Sequence, residues 1–351
     1  MGTASTTRHN ERQARLPPGE EFDVPTSDGT HVRLTRYALG GKGPVVLAPG
    51  YGNKARAFAL PTVHTNFVEF LGANGYDVWL LDYRSSPALP SARTQFTVDD
   101  IATRDWPAAI DTVRRETGAE SVQALAHCVG GLSLFMALGA GLEGVRSAIF
   151  SSLAGHPIPT PANRLRAGVH LATIFKAVGI EGLDTDYKPR SVVDRAVDVA
   201  MRAVPRANVC DHPVCRRIYF VYGDVFDHSQ LNDETHDELA GIFGITNMTF
   251  FEHISLMIRR SRALDAEGRD VYWSNIDRYR LPISFIHGEH NRMFLPVGTE
   301  RTHDELRKAH GPDLYSRHVV SEYAHLDCWL GEHAERDVFP IALAELERHP
   351  A

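Results

Sequence analysis

Apolar residues along this chain fall into short unbroken runs, often ended by glycine, that alternate with longer amphipathic stretches. The runs PVVLA (44–48), YDVWLLDYR (76–84), SVQALA (121–126) and VRSAIF (145–150) have the length and continuous hydrophobicity of strands buried on both faces. Helical periodicity lies between them, near 67–71 and over 97–117. Upstream, EEFDVPTSDGTHVRLTRYAL (20–39) reads as two strands joined by a turn at Ser27, Asp28 and Gly29. Strands alternating with helices predict right-handed crossovers and a mostly parallel sheet, an α/β architecture. The alternation stops near 156, and 157–280 reads as helices and irregular connections. It resumes with LPISFIHG (281–288), a helix over about 298–310, a last strand at 315–320 and a closing helix near 332–348. Residues 1–19 are polar and aperiodic. The expected organisation is therefore a flexible tail (1–19), a core built from 20–156 and 281–351, and a mainly helical insertion (157–280) after the fourth parallel strand.

Composition leaves that picture intact and narrows the function. With 351 residues, 43% of them hydrophobic and 23% charged, the chain is ordinary globular material. The net charge of −7 argues against a nucleic-acid partner. No apolar stretch reaches the roughly 18–20 residues of a membrane span, and the amino terminus has no apolar run to act as a secretory signal. Four cysteines are too few for a disulfide scaffold, so the expectation is a cytoplasmic enzyme.

The chemistry concentrates in AHCVGG (126–131), set between a buried strand and the apolar helical run LSLFMAL. This is the placement of a nucleophile elbow, written G-x-S-x-G in its serine form, whose tight turn demands small flanking residues. Ala126 and Gly130 meet the demand and put Cys128 at the apex. The helix starting there favours a thiolate, which predicts a lowered Cys128 pKa. A triad of this architecture runs nucleophile, acid, histidine along the chain, and His325, just past the last strand, is the histidine candidate. An oxyanion hole needs two backbone N–H donors; Val129 follows the nucleophile, and Tyr51 lies in the PGYG loop after the first buried parallel strand.

On these residues the chain resembles the α/β-hydrolase superfamily over about 20–351, with a cap-like insertion at 157–280. More narrowly, HGEHNRMFLP (287–296) and GPDLYSRHVVSEYAHLDCWLG (311–331) look like the hydrolase-like domains that accompany cholesterol-oxidase-type flavoproteins. The elbow HCVGG is similar to that of polyhydroxyalkanoate synthases, which acylate a cysteine. The resemblance implies an acid three positions after the glycine that ends the penultimate strand; here Gly288 leads to Asn291 instead. A cysteine nucleophile depends less on that carboxylate than a serine does, so Asn291 can orient His325 through a neutral hydrogen bond. Glu289 and Asp327 are the carboxylate alternatives.

A second run, RIYFVYGDVFDH (217–228), also reads as strand, glycine and acid, but Asp224 and Asp227 are expected to serve turns and caps within the insertion. Cys210 and Cys215 read as a structural thiol pair or a disulfide, since no second ligand pair stands near, and Cys328 as a packed thiol. The run FFEHISLM (250–257) has the spacing of a packed helix. No phosphate loop or other cofactor motif is present, so neither cofactor nor metal is expected. The function these features predict is acyl transfer through an acyl-Cys128 intermediate, on a small or carrier-bound ester or thioester with a bulky apolar acyl group. Hydrolysis by the same Cys128–His325 pair is the alternative, and a binding module with an inert Cys128 is the alternative of another class.

Overall fold

The computed structural model describes residues 16–168 and 222–350, with 182–183, 195, 215–216 and 218–219 between them. Among the described residues ten strands form in chain order: β1 (Glu20–Pro25), β2 (His31–Ala38), β3 (Lys42–Ala48), β4 (Tyr76–Asp82), β5 (Val122–His127), β6 (Val145–Ser151), β7 (Gly182–Leu183), β8 (Thr246–Asn247), β9 (Ile283–Gly288) and β10 (Tyr315–Val320). Eight of them make one sheet in the order β1-β2-β4-β3-β5-β6-β9-β10. β1 and β2 pair antiparallel, as the turn at 27–29 predicts, and β2 runs antiparallel to β4. From β4 to β10 every pairing is parallel. Burial follows the sequence pattern: β4, β5 and β9 are buried at every position, whereas β1, the edge strand, and β2 beside it are only partly covered and carry exposed residues between buried ones.

Helices cover both faces. One apolar layer gathers Trp106, Phe135, Phe150, Trp273 and Tyr279; the other gathers Phe67, Leu71, Trp329 and Phe339. The stretch expected at 97–117 is helical but widens to a five-residue repeat at Ile101–Asp105, where the Trp106 N–H bonds to the Ile101 carbonyl. Pro107 explains this, because its ring displaces the carbonyl of the preceding turn and it has no N–H to offer. The closing helix expected near 332–348 comes in two pieces, Ala334–Asp337 and Phe339–Glu347, the second opened by Pro340; a separate short helix, Asp327–Leu330, ended by Gly331, precedes them.

β6 and β9 are neighbours in the sheet although 131 residues of chain separate Ser151 from Ile283. Described parts of that connection include the helices Pro161–Gly168, Asp233–Ile242 and Met248–Arg260. The run at 217–228 is not a strand in its described residues. Tyr222 N–H bonds to Ile218 O and Gly223 N–H to Tyr219 O, a helical turn, so Asp224 does not follow a strand. Among the described residues no helix is long and apolar enough to cross a membrane.

Candidate active site

Cys128 sits where β5 ends and the helix Val129–Ala140 begins, with φ 54° and ψ −122°. A positive φ at a non-glycine residue costs on the order of 1–3 kcal/mol and persists only where the surroundings enforce it. They do so here. The Cys128 N–H is tied to Ser151 O at 2.8 Å, and the chain passes so close to the β3 loop that a Cβ on Gly130 would lie 2.5 Å from Pro49 O. This is the strand–turn–helix context an elbow requires.

The backbone N–H groups of Val129 and Tyr51 both bear on the Cys128 sulfur and favour its thiolate. Burial works in the opposite direction and is the larger effect: Cys128 is 7% exposed and its thiol is pushed up to about 12. The lowered pKa expected from the helix N-terminus is therefore corrected, because desolvation of a thiolate outweighs the nearby dipoles. Tyr51 is rigidly held. Its ring stacks on Phe250 with centroids 3.6 Å apart, and its hydroxyl accepts from the Asn247 N–H at 2.8 Å. Tyr83 donates to Pro49 O and fixes the same loop.

His325 is 2% exposed, in the loop between β10 and the helix Asp327–Leu330. Its partner is Asn291: Asn291 Nδ2 lies 2.9 Å from His325 Nδ1. The other end of the amide is committed, since Asn291 Oδ1 accepts from the N–H groups of Met293 (3.0 Å) and Phe294 (3.1 Å). Nδ2 must then face the ring as a donor, Nδ1 must accept, and the ring proton resides on Nε2. Burial, reinforced by the neighbouring His127 and His287, also holds the His325 pKa well below the ordinary value, so the ring is neutral.

Glu289 is placed elsewhere. It is exposed and accepts from Ser321 Oγ at 2.7 Å, so it is not a hydrogen-bond partner of His325. Asp327 is buried but accepts from the Ala324 N–H, and burial pushes its carboxyl up to about 7. No hydrogen bond joins Cys128 Sγ to His325. The two halves of the site meet instead through His127, whose ring centroid is 4.6 Å from that of His325.

Two histidines that the pattern reading passed over belong to this neighbourhood. His127 ends β5, shares Nδ1 with Ser151 Oγ at 2.9 Å, and is pushed down to about 3 by burial. His287, in β9, contacts Thr299 Oγ1 and the Phe294 carbonyl and is pushed down to about 4. Their position at the carboxyl ends of β5 and β9, two parallel strands separated in the sheet only by β6, is the one signal that points to them. A separate group of possible metal ligands, Cys215, His228 and His236, comes from the connection between β6 and β9. Asp227 has the local role expected, accepting from the Ser229 N–H, but Asp224 does not: it pairs with Arg292, 68 residues on and outside the insertion.

The sheet order, the crossovers and the strand–Cys128–helix junction define an α/β-hydrolase fold. The chain superposes on the soluble variant of the monoglyceride lipase from Saccharomyces cerevisiae with a TM-score of 0.63 at 14% identity, covering 95% of this chain and 96% of that one. A monoacylglycerol lipase from Paleococcus ferrophilus gives 0.56 at 14% identity, covering 90% and 99%. In sequence the chain is similar to human lipase member K, 22% identical over 374 aligned residues that span 95% of this chain and 88% of that protein. No protein-family model matches the chain.

Proposed function

We propose that this protein is an acyl-transfer enzyme of the α/β-hydrolase fold in which Cys128 attacks the carbonyl of an ester or thioester and carries the acyl group. The observation that carries this reading is the strained Cys128 at the strand–helix junction, with the backbone N–H groups of Val129 and Tyr51 near enough to its sulfur to favour the thiolate. In the tetrahedral intermediates that lead to and from the acyl-cysteine, those donors serve the carbonyl oxyanion. The lipase and esterase names of the similar proteins support ester chemistry at this kind of site. The elbow's likeness to polyhydroxyalkanoate synthases supports a cysteine as acyl carrier.

His325 shapes which acyl chemistry follows. To take the Cys128 proton on Nε2, the ring must exchange tautomers and set Nδ1–H against the Asn291 amide donors. Losing that hydrogen bond costs about 1–3 kcal/mol, so the base-competent ring is a minor form. A thioester suits such a site, because its leaving thiolate needs less help from an acid than an alkoxide does. The same shortage of base slows attack by water on the acyl-cysteine, which leaves it to a better nucleophile and favours transfer over hydrolysis. Tyr51, Phe96, Phe250 and Phe251 form an aromatic group beside the Tyr51 N–H, in keeping with a bulky apolar acyl chain. In this reading 157–280 acts as the cap over the cleft. Hydrolysis by the same residues is the second reading, favoured by the names of the similar lipases.

The test is intact-mass spectrometry of the protein incubated with a long-chain acyl thioester. Acylation of the wild type, absent in Cys128→Ala and discharged faster by an added alcohol than by water, is expected. Discharge by water alone, with the alcohol without effect, establishes hydrolysis. If Cys128→Ala keeps every activity of the parent, the cysteine is inert and the proposal fails.

A further inference from the structure

Cys215, His228 and His236 each offer one ligand atom, and the three atoms all lie within 4.8 Å of one another. They arrive from separate pieces of chain: Cys215 from the helical residues before Tyr222, His228 from the turn His228–Gln230, and His236 from the helix Asp233–Ile242. Cys215 Sγ is 2.9 Å from His236 Nε2, and the rings of His228 and His236 are 5.6 Å apart. The other nitrogen of His236 faces a carboxylate, with Nδ1 3.9 Å from Asp237 Oδ1. Asp237 is largely exposed and too distant for a hydrogen bond, so it adds only a nearby negative charge that favours a bound cation. Cys215 itself is buried in an apolar cluster with Ile218, Val225, Phe226 and Leu239.

We propose that Cys215, His228 and His236 bind a zinc(II) ion, with water in the remaining coordination position. One thiolate and two imidazoles form a borderline-soft donor set that selects zinc over the oxygen-seeking calcium and magnesium. Zinc–sulfur and zinc–nitrogen bonds of about 2.3 and 2.0 Å separate tetrahedral ligand atoms by roughly 3.5 Å, so Cys215 and His236 need part by only about half an ångström. Binding releases the Cys215 proton, and the ion compensates the thiolate in its apolar surroundings. This assignment reverses the expectation of a metal-free chain. It also replaces the expected thiol pairing, whose other member, Cys210, lies outside the described residues.

The location gives the ion a job. Leu326 and Leu330, which flank His325 and the following helix, pack in the same apolar cluster as Cys215. The Leu326 N–H donates to Val225 O at 2.8 Å, Gln230 Nε2 to Glu322 O at 3.0 Å, and the Glu332 N–H to Gln230 O at 2.8 Å. The ligand-bearing segment is thus strapped to the loop that carries His325, and the ion fastens that strap. None of this depends on Cys128 being a nucleophile.

Chelator-dialysed full-length protein titrated with cobalt(II) should bind one equivalent per chain. The expected spectrum has the intense visible bands of a tetrahedral site and a thiolate-to-cobalt charge-transfer band, both removed by added zinc. Cys215→Ser should abolish the charge-transfer band, and His228→Gln and His236→Gln should weaken the visible bands. On the wild type alone, zinc should slow iodoacetamide labelling of Cys215 by about tenfold or more, followed peptide by peptide, and leave Cys128 labelling unchanged. This last readout stands even where a variant fails to fold. Cobalt spectra unchanged by all three substitutions, or Cys215 labelling indifferent to zinc, would overturn the site. Zinc binding without acylation of Cys128 would overturn the acyl-transfer reading and leave the metal site standing.

Discussion

At the residue scale, the decisive atom is the amide nitrogen of Asn291. A carboxylate in its place would keep one oxygen on the Met293 and Phe294 N–H groups and offer the other to His325 Nδ1–H. The ring would then present Nε2 as a base. Asn291→Asp is accordingly expected to move the proton from Nε2 to Nδ1, read directly from imidazole nitrogen-15 shifts. In a Cys128→Ser background the same change should raise ester hydrolysis by about 10²–10⁴-fold, the reverse of the loss a serine triad suffers when its aspartate becomes asparagine. An unchanged tautomer in the variant would refute the assignment. Cysteine at 128 and asparagine at 291 make chemical sense together, because the thiol tolerates a partner that cannot stabilise an imidazolium.

At the scale of elements, the helix Phe339–Glu347 is locked to the sheet edge through one carboxylate. Glu345 accepts from Ser284 Oγ of β9 at 2.6 Å, contacts His318 Nε2 of β10 at 2.8 Å, and pairs with Arg348. Burial opposes its charge, yet these partners win and hold the carboxyl down at about 2, from 4.5. A depressed folded-state pKa contributes stability that is present above 4.5 and lost as pH falls towards 2. Glu345→Gln should therefore destabilise the protein by about 2–3 kcal/mol at neutral pH and flatten the pH dependence of denaturant midpoints in that window. A parallel loss of stability at pH 2 and pH 7 would contradict this. The pattern alone suggested one helix over about 332–348; the structure breaks it at Val338, where Pro340 opens the second piece.

At the scale of the whole molecule, the helix Met248–Arg260, from the connection between β6 and β9, packs its aromatic residues against the loop that carries Tyr51. Phe250, from the helix Met248–Arg260, lies face to face with Tyr51, and His253 accepts from the Val98 N–H at 3.2 Å. Truncation by Phe250→Ala should cost about 3–5 kcal/mol, as buried aromatic deletions do. Because Tyr51 supplies an N–H to the Cys128 site, the same variant should also accept long-chain acyl thioesters less well than short ones. Measurement of stability together with acylation rates across a chain-length series checks both; equal effects at every chain length would separate the aromatic group from substrate binding.

The succession of strands and helices along the chain, the elbow placement of Cys128 and the position of His325 past the last strand could be read from the sequence, because continuous apolar runs, paired glycines and chain order are local signals; the order of strands within the sheet could not. Spacing from Gly288 favoured Asn291 over Glu289 and Asp327 without excluding them; the backbone donors at 293 and 294, and the Ser321 contact that holds exposed Glu289 away, separate them in space. The local sequence likewise favours a reactive thiolate at Cys128, since it contains the helix start but not the enclosure. Desolvation is a property of everything packed around an atom, so only the folded chain could invert that pKa. The convergence of Cys215, His228 and His236 has the same origin, being made by packing between segments whose spacing carries no metal motif.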